Sequence, residues 1–481
     1  MFARLVENKQ FYIFSLVYVL LNAVLIYYEF FYLTALPIIL AMLTIIFLRL
    51  DISYYLVIFM TPLAIPLYEL YRGLEFDLSL PTEPILAVMT LAIILKSLKS
   101  KSVVSRKLAI HPVSIAIYFY LAWMLITTIT SSLPLVSIKY FVSRLWFIIP
   151  FYFLAGMVFR EPRHIERFFW LYLIPLIMVI LYATIRLSQY GFDDDRASHF
   201  VMNPFYKDHT AYGAVLAMFF PVALGLALYK KYDNVKRLVA LVVFALVTMA
   251  IVYSHTRAAW ISIIGAFGVF LVLALKIRTR YLVLIGGIVF ISLISYWPEI
   301  QIRLEQNRQD SGSGDLTEHV QSISNITNDA SNLERINRWK SALRMFEERP
   351  FLGWGPGTYM FQYAPYQNPL EKTIISTNAG DMGNAHSEYL GPLADSGVLG
   401  TLTFLGVVLT TLVIGIRAYK QAKNLKIKYF AMVSLLGLIT YYLHGFLNNF
   451  LDTDKASAPF WGFTAILVVI DLHLKHLPAE Q

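Results

Sequence analysis

Long apolar runs recur along this chain, each about as long as a bilayer is thick, and nothing else in the sequence narrows its folds as much. A membrane-crossing helix needs about 20 mostly apolar residues. About fourteen stretches of the 481 residues meet that length, at roughly 11–28, 30–48, 52–68, 81–97, 110–130, 140–159, 165–187, 208–229, 237–254, 258–276, 280–297, 390–416, 427–448 and 459–474. Only Glu29 separates the first two. The third holds Pro62 and Pro66, which predict a broken or partly re-entrant segment, so the spans number between about twelve and fourteen. Inside lipid every backbone polar group must be satisfied within its own segment, so the predicted fold is an all-α polytopic membrane bundle. Composition points the same way. Hydrophobic residues make up 58% of the chain and charged residues 15%, against roughly 45–50% and 25% in soluble domains. That balance excludes a cytosolic enzyme and a disordered chain. The absence of cysteine excludes disulfides, thiol catalysis and thiolate metal sites.

Orientation follows from the placement of lysine and arginine. With the N-terminus inside and the spans alternating, the inner segments hold 24 basic and 7 acidic residues, a balance of +17, and the outer ones 16 and 24, a balance of −8. The formal charge of +9 is then a topology signal that needs no nucleic-acid partner. Both termini are predicted to be cytoplasmic. Arg4 and Lys9 ahead of the first run read as an uncleaved signal anchor, since no small-residue cleavage site follows. The expected organisation is a first bundle over 1–297, a hydrophilic outer segment over 298–388 and a closing bundle over 389–481.

The outer segment begins with a polar Gly/Ser/Asn/Asp-rich stretch, read as a lid or linker. In SNLERINRWKSALRMFEERP, Leu333, Ile336, Trp339, Leu343 and Phe346 recur at helical spacing and Pro350 ends the run. This predicts an amphipathic helix over 331–348, capped by Ser331 and Glu334, lying on the membrane surface or on the bundle. Arg335 and Arg338 fall on one side of it. The GWGPGTY turn that follows is able to bring backbone close to a ligand.

Three groups on the outer side hold the candidate chemistry. The first contains Arg196, Lys207, Asp208 and His209. The second is SHTRAAW, a loop so short that His255 and Arg257 must sit at the membrane boundary. The third is NAHSEYLGPLADSGVLG, with His386 and Glu388. An ionisable residue at membrane depth is costly and marks a site by default. Each group also has a plainer reading: Arg257 as a snorkelling anchor, Arg196 as a partner for Asp193, Asp194 or Asp195, His386 as a packed or capping histidine, Asp208 as a helix cap, and Arg335 and Arg338 as a solvated face. The ten histidines are scattered, so no metal site is expected.

The order of these motifs is what identifies them. An arginine loop comes first, then Thr256–Arg257 ahead of an apolar run, then an Arg/Trp helix. P-x-x-G-x-G-P-G follows at Pro350–Gly357, then H-S-x-x-L at His386–Leu390, then G-x-x-G at Gly397–Gly400. In this order the chain resembles the O-antigen ligase and O-antigen polymerase superfamily over about Arg196–Gly400. The resemblance implies a bacterial inner-membrane bundle of the lipid-sugar glycosyltransferase type. It implies a metal-independent, inverting transfer of a glycan from undecaprenyl pyrophosphate, on the periplasmic face and without a cofactor. The implied acceptor is lipid A–core in a ligase, another repeat unit in a polymerase, or a protein hydroxyl in an O-oligosaccharyltransferase. By motif, Arg196 and Arg257 resemble the family's pyrophosphate-holding arginines, and His386 the histidine that activates the acceptor. Lys207, Asp208, His209, Arg335, Arg338 and Glu388 are candidate supporting residues. DHTAYG replaces the family's commoner Asn-containing start of that span, which leaves the acceptor open. A transporter or flippase for a lipid-linked saccharide is the alternative from another class.

Overall fold

The structure, a computed structural model, describes residues 9–71, 78–99, 104–278, 330–373 and 383–478, together with positions 280, 292, 295, 296, 376 and 377. The chain divides into two compact units, Met1–Ser53 and Tyr54–Gln481.

In the first unit, α1 (Lys9–Tyr27) and α2 (Leu36–Leu48) are joined through a turn at Glu29, whose φ is 60°, and a 3-10 turn at Tyr32–Ala35. The Tyr18 hydroxyl donates to the Leu33 carbonyl at 3.0 Å and ties the connection back to α1. The one charged residue between the first two apolar runs therefore sits at the reversal between the helices.

The third apolar run is broken at its prolines. α3 (Leu50–Met60) gives way to a 3-10 turn at Thr61–Leu63, because Pro62 brings no N–H to continue the ladder. Beyond it the two-residue strands β1 (Ile65–Pro66) and β2 (Ser79–Leu80) pair antiparallel.

Nine helices among the described residues are long and apolar enough to cross a membrane. They are α5 (Pro112–Ile129), α6 (Pro134–Val158), α7 (Pro162–Ser188), α8 (His209–Leu228), α9 (Asn234–Tyr253), α10 (Arg257–Ala274), α12 (Leu390–Gln421), α13 (Leu425–His444) and α14 (Asp454–Leu474). Of the other five expected spans, the first three form shorter apolar helices, Phe11–Tyr27, Tyr32–Leu48 and Leu50–Leu63. The fourth is α4 (Thr82–Lys99), which carries Glu83, Lys96 and Lys99. The eleventh, 280–297, lies outside the described residues except for positions 280, 292, 295 and 296, as does the polar stretch from 298 to 329. The chain is an all-α polytopic membrane protein.

Packing sets the hierarchy within the bundle. α8, α13 and α14 are its centre, while α9 and α10 keep most of their surface uncovered. Phe168, Phe169 and Tyr172 of α7 interlock with Phe219 of α8 and Phe463 of α14, with Tyr172 stacked on Phe219 at 4.3 Å. Gly437 lets α13 approach α8, since a Cβ there would lie 2.6 Å from the Met218 carbonyl oxygen.

Two helices depart from regular geometry. α6 widens into a π-turn over Ile149–Leu154, and α12 is kinked at Gly397, with φ 69° and ψ −170°. A Cβ at Gly397 would sit 2.1 Å from the Phe351 carbonyl oxygen, so the kink requires glycine.

Between the bundle halves, α11 (Ala330–Glu348) forms over the range the periodicity predicts, but it packs on a different face. Its buried residues are Glu334, Asn337, Arg338, Ser341, Ala342 and Met345. Leu343 of the expected apolar stripe is exposed, and Leu333, Ile336, Trp339 and Phe346 are only partly covered. The polar face can be buried because its groups find partners. Asn337 donates to Gln367 at 2.9 Å, and Glu334 accepts from Arg338 at 2.8 Å, from Thr373 at 3.0 Å and from Ser376. Glu334 is thus engaged in this network, and the side chain of Ser331 lies outside the described residues.

Candidate functional site

The connections at one end of the bundle bring the three motif groups together. Asp195–Ser198 forms a single helical turn capped by Asp194. Asp208 caps α8 by accepting from the N–H groups of Thr210 at 2.9 Å and Ala211 at 2.8 Å. Thr256, the residue before α10, donates its hydroxyl to the His209 carbonyl at 2.8 Å. Its side chain fills the space over Gly213, where a Cβ would meet it at 2.7 Å. The starts of α8 and α10 are therefore fixed against each other. Asp195 joins them, its Oδ1 lying 3.7 Å from His255 Nδ1 and 3.9 Å from His199 Nε2, and the His199 ring stacks on His209 at 4.0 Å.

α11 is attached to the same end. Arg335 donates to the Leu447 carbonyl at 3.3 Å, beyond the end of α13. Arg338 is buried, paired with Glu334, and donates to the Asn384 carbonyl at 3.1 Å. The Trp339 indole donates to the His386 carbonyl at 3.4 Å, and the His386 N–H donates to the Asn384 side chain at 3.1 Å. This framework holds His386 at φ 47°, a left-handed conformation shared by His255. Histidine tolerates that region better than most residues, but a non-glycine there stores strain, and such strain concentrates at functional sites.

His386 is partly buried. Burial, with Arg335 and Arg338 close by, pushes its imidazole down to about 4, and Asp208 and Glu334 pull the other way. The imidazole is neutral at pH 7 and able to accept a proton. On Glu334, burial raises the carboxyl, but hydrogen bonds from Ser376 and Arg338 outweigh it and hold the group below its usual range.

The candidate residues fall into two sets. Arg335, Arg338 and Asp208 lie close enough to His386 to act on its charge. Asp208 does this while also capping α8, and His209 lies near both Asp208 and Arg335. Arg257 is partly buried at the first position of α10. Arg196 and Lys207 are exposed. Glu388 is buried and engaged elsewhere, accepting from the Tyr441 hydroxyl at 2.6 Å, Phe450 N–H at 2.8 Å and Leu451 N–H at 2.9 Å. Burial pushes its carboxyl up, against the pull of Arg144. Arg338 is not the solvated face of its helix, because it is sealed under the following loop with Glu334.

The GWGPG turn brings backbone close to the protein itself. Trp354 and Gly355 N–H donate to the carbonyls of Ala394 at 3.1 Å and Asp395 at 2.7 Å. The Asp395 carboxylate accepts from Gly357 N–H at 2.9 Å and Tyr359 N–H at 2.8 Å. Of the aromatics that suit sugar stacking, Trp354, Tyr359 and Tyr363 are buried in a small core with Ala342, Met345, Ala385 and Ala394.

Two residues of this end escaped the sequence reading. Arg144 of α6 is buried and donates to the Leu451 carbonyl and the Tyr140 hydroxyl. His444, the last residue of α13, is buried against Asn448 at 3.1 Å and lies near Arg335 and Asp208. Both are ionisable residues inside apolar runs, and that signal was present in the sequence.

Among the described residues, no group of three or more His, Asp or Glu side chains is placed to hold a metal ion. Fold and site together define a multi-pass all-α membrane protein with a cationic, histidine-bearing surface at one end of the bundle. Residues 240–405 match the family model described as O-antigen ligase, a stretch that takes in α10, α11, the GWGPG turn and His386. The matched segment supports a relationship to the O-antigen ligase/polymerase superfamily, whose members are glycosyltransferase-like enzymes. A comparison with curated proteins gives no match.

Proposed function

We propose that the chain transfers a glycan from undecaprenyl pyrophosphate to an acceptor hydroxyl on the periplasmic face of the inner membrane, with both termini in the cytoplasm. Lipid A–core is the favoured acceptor, with polymerase and protein O-oligosaccharyltransferase activities as the readings within the same superfamily. What supports this is the closeness of Arg335, Arg338 and Asp208 to His386, with His386 and both arginines inside the segment that matches the O-antigen ligase family.

In this reading Arg257 and Arg196 bind the donor pyrophosphate, because a guanidinium fork matches phosphate oxygens and stays charged. His386 takes the proton from the acceptor hydroxyl. The acceptor oxygen forms a bond to the anomeric carbon as the bond from that carbon to the phosphate oxygen breaks. The electron pair leaves on the pyrophosphate, and the arginines stabilise the charge that develops there. A single displacement of this kind inverts the anomeric centre, and no step requires a metal ion. An anionic donor also offsets the arginine field, so it raises the proton affinity of His386 when the base is needed.

The decisive experiment is reconstitution with an undecaprenyl-linked glycan and the three acceptors, scored by product mass. Bond formation with lipid A–core, lost in His386→Ala with donor binding retained, is the expected result. Full turnover in His386→Ala removes the base role. Net movement of the lipid-linked glycan across the membrane without bond formation replaces the transferase with a flippase.

A further inference from the structure

The end of the bundle away from His386 carries a second cationic feature. α7 runs from Pro162 toward Arg196, and α14 runs from Asp454 to Leu474. Residues just before α7 and at the close of α14 therefore share the far end, a span of about 1.5 Å per residue from the candidate site. There a cavity of ≈ 510 Å³ is lined by Ser105, Arg106, Lys107, Arg160 and His473. Three of these side chains are permanent cations, one is an imidazole, and none is a carboxylate.

The nearby acids are already engaged. Glu161, next to Arg160, pairs with Arg163 at 2.7 Å. Asp471, two residues before His473, accepts from Arg417 Nε at 2.8 Å, Lys475 at 3.1 Å and His111 at 3.3 Å. One carboxylate thus serves three partners, and this network pins the last turn of α14 that carries His473. Among the described residues Arg106, Lys107 and Arg160 have no ion-pair partner. Like charges around one cavity repel, and a bound anion removes that cost. One turn on from Arg106 the side chain of Ile110 is 60% exposed and offers apolar surface beside that cation. A free phosphate has no use for that surface, whereas a lipid places its headgroup on the cations and its chains on the apolar rim.

We propose that this cavity binds the phosphate headgroup of an anionic membrane lipid. The site is independent of the glycan-transfer reading and lies at the other end of the bundle. The test is binding of fluorescent phosphatidylglycerol to the purified full chain in neutral detergent, with phosphatidylcholine and sodium phosphate as competitors. The expected result is saturable binding that resists both competitors, and an affinity at least about ten-fold lower in the K107Q/R160Q variant. K420Q/K423Q removes the same charge at the same end outside the cavity and should bind like the native chain. R106Q, a single change at an exposed residue, should weaken binding in the same direction if the double variant is poorly folded. Equal losses in K107Q/R160Q and K420Q/K423Q would show only general surface charge and overturn the site. Displacement by millimolar phosphate would overturn the lipid assignment in favour of a small anion.

Discussion

Glu388 accepts the hydroxyl of Tyr441 at 2.6 Å, although only one residue separates it from His386. The same carboxylate oxygen takes the N–H groups of Phe450 and Leu451, so Glu388 ties the entry of α12 to the loop between α13 and α14. This makes Glu388 a holding residue for the loop that carries His386. Glu388→Ala should lower the thermal unfolding midpoint in detergent. Each buried donor left without a partner costs about 1–3 kcal/mol. Glu388→Gln, which keeps an acceptor oxygen, should lose less. Equal midpoints for native and Glu388→Ala chains would contradict the staple.

The depressed proton affinity of His386 has a pH signature. An unfolded histidine takes up a proton near pH 6.5, whereas the folded group resists until about 4. Stability from this position is therefore fully present above about 6.5 and is lost as pH falls toward 4. Unfolding midpoints of the native chain and His386→Gln, compared from pH 7.5 to 4.5, should diverge against the native chain as pH falls. A constant difference would mean an ordinary histidine.

Arg257 separates a phosphate fork from a membrane anchor. Arg257→Ala should weaken binding of an undecaprenyl-pyrophosphate glycan, and Arg257→Lys should recover only part of it, because an ammonium cannot make the bidentate contact. Equal binding by the Lys variant and the native chain would indicate a simple interfacial anchor.

The GWGPG turn and α12 form one folding unit. Asp395→Ala strands two backbone N–H groups, at a cost of about 1–3 kcal/mol each. Gly397→Ala places a methyl group against the Phe351 carbonyl. Both changes should lower the midpoint and expose Gly355–Tyr359 to proteolysis. Unchanged proteolysis in both variants would show that the turn holds without them.

Much of the bundle was legible because lipid enforces a simple code of length, apolarity and proline breaks. Pro62 marked the end of α3, and Glu29 marked a turn. The helix of residues 330–348 was legible as an element but its buried face was not. Periodicity counts apolar side chains, whereas Glu334, Asn337 and Arg338 are buried through partners that arrive from residues 367–384. The same long-range dependence hid the division of labour at the site. Neighbours in sequence, His386 and Glu388, have different partners, while Asp208 and Arg335, more than a hundred residues apart, both bear on His386 and His444. Spacing identified the motifs, and tertiary contacts decided which of their side chains share a field.

The π-turn of α6 lets the span take an extra residue while its two ends keep their facing. A π-turn carries one residue more than the regular helix needs. The wider turn absorbs that residue and keeps the two flanks nearly in register, whereas deleting a residue from the regular part of α6 between Arg144 and the π-turn would rotate the segment before it by about 100°. With such a deletion Arg144 would swing away from Leu451, and the loop that Glu388 grips would lose its guanidinium partner. The alignment of the loops at that end is in this sense a matter of reading frame along one helix, adjustable in whole-residue steps without changing any side chain there.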